Sequence, residues 1–143
     1  MSFRQLTDDI FVTPQISTDD IAEAAKLGVT LIINNRPEDE AEDQTPGDAI
    51  ERAARSAGMD YVAIPVTHSG FSQPQVEAMS AAMEKADGPV LAYCRSGTRS
   101  TLLWALAEAS QGGDPDALTN IAAKAGYDIT PVRPLMDMLK AQA

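Results

Sequence analysis

The chain has 143 residues, 44% of them hydrophobic and 22% charged, which suits one folded domain over residues 1–143 and excludes a disordered chain. A formal net charge of −10 repels nucleic acid and anionic membrane, so neither is an expected partner, and an anionic substrate would need a local positive site. The single cysteine, Cys94, excludes an internal disulfide and suits a reducing, cytoplasmic setting; there is no basic-then-apolar leader and no apolar run long enough to span a membrane.

In chain order, Phe3 to Pro14 reads as a short hairpin, with Ile10-Phe11-Val12 as its apolar stretch and Asp8-Asp9 as its turn. Ser17 or Thr18 is placed to cap a helix from Asp19 to Leu27, and Gly28 to end it. Val29 to Ile33 is apolar and rich in β-branched residues, as expected of a strand buried on both faces. After an acidic loop from Glu38 to Asp48, a helix is expected from Gly47 to Ser56, ending at Gly58, and a strand from Tyr61 to Val66. The next helix, Gln73 to Ala86, places Val76, Met79, Ala82 and Met83 on one face. Pro89 to Tyr93 is a third core strand and Arg99 to Ala109 an apolar helix carrying Leu102, Leu103, Trp104 and Leu106. Helices over Asp114 to Ala125 and Val132 to Ala141 close the chain.

Alternating strands and helices imply an α/β fold, a central and mostly parallel sheet flanked by helices. Ligand sites in such sheets lie beyond the carboxyl ends of the strands. Asn34 to Pro37, Thr67 to Gly70 and Cys94 to Ser100 all fall there.

Cys94-Arg95-Ser96-Gly97-Thr98-Arg99-Ser100 joins a buried strand to a helix. Ser96, Gly97 and Thr98 allow the backbone to curl so that successive N–H groups point inward. The helix start adds its positive end. Such a nest favours a thiolate and then holds an oxyanion. Arg99 is suited to grip that anion bidentately, with Arg95 adding positive charge and Ser100 hydrogen-bonding the thiolate or the leaving sulfur. Arg36 either adds a second cation to the pocket or pairs with the acids from Glu38 to Glu42. One Cys and one His offer no metal-ligand spacing, and no cofactor is implied.

The loop resembles two families: a Cys, a glycine-containing loop, then Arg-Ser as in tyrosine and dual-specificity phosphatases, and the string Cys-Arg-Ser-Gly-Thr-Arg-Ser as in the active loop of rhodanese sulfurtransferases. Asp9-Ile10-Phe11-Val12, then Leu27-Gly28-Val29-Thr30-Leu31-Ile32-Ile33-Asn34 with Arg36-Pro37, then Tyr61-Val62-Ala63-Ile64-Pro65-Val66, then Leu91-Ala92-Tyr93-Cys94 follow the dual-specificity phosphatase order. Nearly the whole chain is similar to the small bacterial phosphatase-like domain also found fused to metallo-β-lactamase-like hydrolases. That resemblance implies a dual-specificity phosphatase-like fold and a small anionic substrate, a phosphoester attacked by Cys94 to form a phosphocysteine.

Two departures stand out. Phosphatases of this superfamily place five residues between Cys and Arg, whereas four stand here, Arg95 to Thr98. Their general acid is an aspartate after the Ile-Pro strand, whereas Thr67-His68-Ser69-Gly70-Phe71-Ser72-Gln73-Pro74 contains no carboxylate. His68 is the candidate proton donor there, against the plainer reading of a surface-loop histidine. The shorter loop and the missing acid suit a second function, sulfur transfer with a persulfide carried on Cys94 from a persulfide or thiosulfate donor. A third is a non-catalytic anion-binding or redox-sensing module.

Overall fold

A computed structural model describes residues 3–143. Its sheet has five strands, β1 (Arg4–Thr7), β2 (Ile10–Thr13), β3 (Leu31–Asn34), β4 (Asp60–Ala63) and β5 (Val90–Tyr93), in the order β1-β2-β5-β3-β4. Only the β1–β2 pair is antiparallel. It forms the expected hairpin, turning at Asp8-Asp9.

Side chains alternate across the sheet and feed two apolar layers. On one face Ile10, Val12, Leu31, Ile33, Val90 and Ala92 pack beneath the helices α3 (Gln73–Lys85), α4 (Thr98–Ser110), α5 (Pro115–Lys124) and α6 (Arg133–Gln142). On the other, Ile32, Leu91 and Tyr93 pack with residues of α1 (Asp20–Lys26) and α2 (Gly47–Ser56). The central strands β3 and β5 are therefore buried at every residue, which is why they read as unbroken apolar runs. The helix after the cysteine loop, α4, is buried nearly all round, from Ser100 through Leu103, Trp104 and Leu106 to Ala109. Each large side chain buried there contributes about 1.5–3 kcal/mol, so the helix start that flanks Cys94 rests on a firm base.

Three local expectations are corrected. Neither Ser17 nor Thr18 caps α1 through its side chain; instead the Asp20 carboxylate accepts the Ser17 N–H at 2.8 Å. The strand expected from Tyr61 to Val66 stops at Ala63, because Pro65 has no N–H to continue the ladder. Its neighbours still bond β3's end, Ile64 N–H to Asn34 O and Val66 N–H to Asn35 O, each at 2.9 Å. β3 itself is shifted toward the site, running to Asn34 rather than ending at Ile33. No helix among the described residues is long and apolar enough to cross a membrane.

Candidate active site

The carboxyl ends of β5 and β3 lie side by side. Asn35 N–H donates to Tyr93 O at 2.8 Å, so the Asn-Arg-Pro segment leaves the sheet directly beside Cys94. Cys94 is fully buried, and the Gly97 N–H points at its sulfur across 3.1 Å. Gly97 reaches that position with φ +92°, and it is the residue from which α4 starts. The Thr98 N–H turns to Ser96 Oγ at 3.3 Å, and Thr101 closes the first turn of α4 onto Gly97 O through both its N–H and its hydroxyl. Arg95, Ser96 and Thr98 are exposed at the mouth of the loop. Arg95 is tied down by its carbonyl, which accepts the Gln15 N–H at 3.2 Å.

Glycine is required at position 97 on two counts. The positive φ strains any residue with a Cβ. A Cβ there would also overlap the Tyr127 hydroxyl and lie 2.9 Å from that ring's Cζ. Gly97→Ala is expected to destabilise the fold by about 1–3 kcal/mol and to displace Tyr127. Urea unfolding beside the wild type checks it, and an unchanged midpoint would contradict the strain.

Arg99 sits beside the sulfur, with its guanidinium held end-on by Glu40. Its Nη1 donates to Glu40 Oε2 at 2.8 Å and to Val66 O at 2.6 Å, and its Nη2 to Glu40 Oε1 at 2.9 Å. These bonds use three of the five guanidinium N–H donors. The Nε–H and the second Nη2–H, which share one edge of the planar fork, are not among those three. The hydrogen bonds to Glu40 outweigh burial and hold Arg99 further into its charged range.

Glu40 also accepts the Arg36 Nε–H at 2.9 Å. Hydrogen bonds from Arg99 and then Arg36 outweigh the burial that opposes ionisation, and lower its pKa to about 2. Of the two roles open to Arg36, the structure shows the pairing: the side chain is 5% exposed, and its other contact is Nη1 to Gln15 Oε1 at 3.1 Å. The partner, Glu40, is only partly exposed, at 18%. Ser100 is likewise buried, and its hydroxyl donates to Asn35 Oδ1 at 2.8 Å. Asn35 is oriented by its own amide, which donates to Ile64 O at 2.9 Å. The Ser100 proton therefore points at Asn35, away from the expected bond to Cys94.

His68 lies on the exposed turn after β4, and no hydrogen bond or ion pair among the described residues links it to the loop. Of the three segments expected to converge, Asn34 to Pro37 and the cysteine loop meet through Asn35, Glu40, Arg99 and Ser100. No hydrogen bond among the described residues joins the third, Thr67 to Gly70, to them; Arg99 reaches only as far as Val66 O, the residue before it. Sequence reasoning missed Glu40 as the carboxylate that presents Arg99; its place four residues after Arg36 was the available signal. It also missed Tyr127, whose hydroxyl donates to Ser96 O at 3.1 Å, and for which the sequence offered no signal.

A mostly parallel sheet carries a buried cysteine at a strand end, a loop N–H facing its sulfur and an arginine at the following helix start, which defines an α/β protein with a cysteine-centred site. The family model for the phosphatase-like domain of beta-lactamase hydrolase-like proteins matches residues 2–111, and the chain belongs to that family. A beta-lactamase hydrolase-like protein of Xylella fastidiosa (strain Temecula1) is 34% identical over 112 residues, covering 78% of this chain and 26% of that protein. The chain thus spans about a quarter of the length of the curated relatives it matches. A crystal structure from Neisseria meningitidis Z2491, of a provisionally assigned phosphatase, is 33% identical with a TM-score of 0.85, covering 97% of this chain and 99% of that one. P. aeruginosa TpbA, solved as a cysteine-to-serine variant in complex with phosphotyrosine, shares the fold with a TM-score of 0.69 at 16% identity, covering 99% and 89%. The fold is thereby that of the dual-specificity and tyrosine phosphatases.

Proposed function

We propose that the protein is a cysteine-dependent phosphatase in which Cys94 attacks a phosphoester and carries the phosphoryl group. The observation that carries this reading is the buried Cys94 sulfur facing the Gly97 N–H, with Arg99 presented beside it by Glu40. The phosphate takes the mouth of the nest. Cys94 Sγ forms a P–S bond as the ester P–O bond breaks. The N–H groups of residues 95, 96 and 99 and the unused edge of Arg99 hold the equatorial oxygens as their charge changes, while the Gly97 N–H stays on the sulfur. The leaving oxygen takes its proton from water or from His68, should the turn bearing His68 close on the substrate. Water then attacks phosphorus, releasing phosphate and the thiolate. Arg95 and Thr98 border the entrance and meet the anion first. TpbA's complex with phosphotyrosine supports an aryl phosphate as the first substrate to try.

The four-residue spacing from Cys94 to Arg99 and the lack of a carboxylate from Thr67 to Pro74 favour sulfur transfer as the second reading; the phosphatase assignments of the relatives weigh against it. A paired assay separates the two. One arm follows aryl phosphate hydrolysis at about pH 6. The other follows thiosulfate-dependent sulfur transfer together with the intact mass of the protein. Wild type and Cys94→Ser run side by side. Phosphate release is expected from the wild type alone, with Cys94→Ser at the background rate and its unfolding midpoint unchanged. A gain of one sulfur atom with sulfur turnover and no phosphate release would replace the proposal with the second reading. Full hydrolysis by Cys94→Ser would remove Cys94 from either mechanism.

A further inference from the structure

The family match ends at residue 111, yet the segment beyond it sends one side chain into the cysteine loop. Tyr127 follows α5 in a tight turn: Gly126 has φ +92°, and the Tyr127 N–H donates back to Ala122 O at 2.9 Å. Arg4 braces this turn from the other end of the chain. Its Nη1 donates to Ala125 O at 2.7 Å, and its guanidinium lies 5.9 Å from the centre of the Tyr127 ring. So held, the Tyr127 hydroxyl donates to Ser96 O at 3.1 Å.

Ser96 O and the Gly97 N–H are the two polar ends of one peptide group. In a trans peptide they point in opposite directions. One end is held outward by Tyr127 at 3.1 Å, and the other faces the Cys94 sulfur at 3.1 Å. The peptide has an alternative. Rotating it by half a turn would bring Gly97 to negative φ, which glycine adopts as readily, and would aim the carbonyl oxygen at the sulfur. A carbonyl dipole repels a thiolate, whereas the N–H stabilises it. The choice between the two orientations is thus left open by glycine and needs a partner on the carbonyl side. A carbonyl that accepts a hydrogen bond also makes its own peptide N–H a stronger donor.

We propose that Tyr127 is a positioning residue that locks the Ser96–Gly97 peptide with its N–H on Cys94, and so keeps the sulfur in its reactive, ionised form. The role rests on Cys94 reacting as a thiolate, the premise it shares with the proposed function. It does not depend on which group the thiolate attacks.

The test is Tyr127→Phe, which keeps the ring over Gly97 and removes only the donor. The probe is iodoacetamide, with Cys94 alkylation followed by intact mass, so that no substrate is needed. At about pH 6, alkylation of the variant is expected to be 3- to 10-fold slower than that of the wild type, and at about pH 10 the two rates are expected to agree. Equal rates at the lower pH would overturn the proposal. So would an equal slowing at both values, which would mean altered access and not altered ionisation. Thermal unfolding of both proteins accompanies the assay. A loss of stability with unchanged alkylation would leave Tyr127 a brace and nothing more. Failure of the underlying premise looks different: wild-type Cys94 would then react at the lower pH no faster than a small free thiol.

Discussion

Replacing Arg99 by lysine is expected to lower kcat for aryl phosphate hydrolysis about 100- to 1000-fold, while the chain stays folded. The guanidinium does two jobs at once. One end donates to both oxygens of the Glu40 carboxylate, and the same group donates to Val66 O. In the proposed mechanism the remaining edge offers two parallel N–H donors to a phosphoryl group. A lysine ammonium keeps the charge but not the planar fork, so it cannot present an edge to substrate while remaining locked to Glu40. Glu40 keeps Arg36 as its second cation, so the carboxylate is not orphaned and the structural loss is limited. Steady-state kinetics and urea unfolding of the same preparation check both halves. A kcat within a few-fold of the wild type would mean that Arg99 does not take up charge in the transition state.

Glu40→Gln should expose a stability that depends on pH. The Glu40 carboxyl titrates at about 2 in the folded protein against 4.5 ordinarily, chiefly because Arg99 and Arg36 hydrogen-bond its charged form. A carboxylate depressed in this way adds stability above its unfolded pKa, and that stability is lost as pH falls through the folded value. The shift corresponds to about 3 kcal/mol at neutral pH. Glutamine leaves two largely buried guanidinium groups without their counter-charge, a loss of similar size for a broken buried pair. The variant is therefore expected to be about 3 kcal/mol less stable at pH 7, with the gap narrowing below about pH 4.5 and closing toward about pH 2. Urea midpoints measured across that range test the sign as well as the size. A gap of equal width at both ends would show that shape, and not charge, is what Glu40 contributes. Activity should fall too, since Arg99 would lose one of the two oxygens that orient it.

Much of the site was legible because its chemistry is local. A strand ending in a cysteine, a glycine able to take positive φ, and a helix start with arginine all lie within seven consecutive residues. Backbone geometry over so short a span follows from residue type. The same holds for the sheet, whose two central strands declare their burial on both faces by being apolar throughout. Arg36 was legible only as an alternative, because a side chain near several carboxylates has no preferred partner until the loop closes. Ser100 was read as a donor to the sulfur. It lies on the first turn of α4, and only the arrival of Asn35 from the neighbouring strand shows where its proton goes.

By itself the sequence determined the α/β order, the helix and strand types, the loop around Cys94 and the cationic character of Arg99, all of which depend on neighbours along the chain. Tertiary structure alone decided that Glu40 holds Arg99 from 59 residues away and that Tyr127 reaches Ser96 across 31. The physical reason is that a hydrogen bond between side chains, or from a side chain to a distant carbonyl, forms only when packing sets both groups within about 3 Å. No propensity or period along the chain encodes that distance.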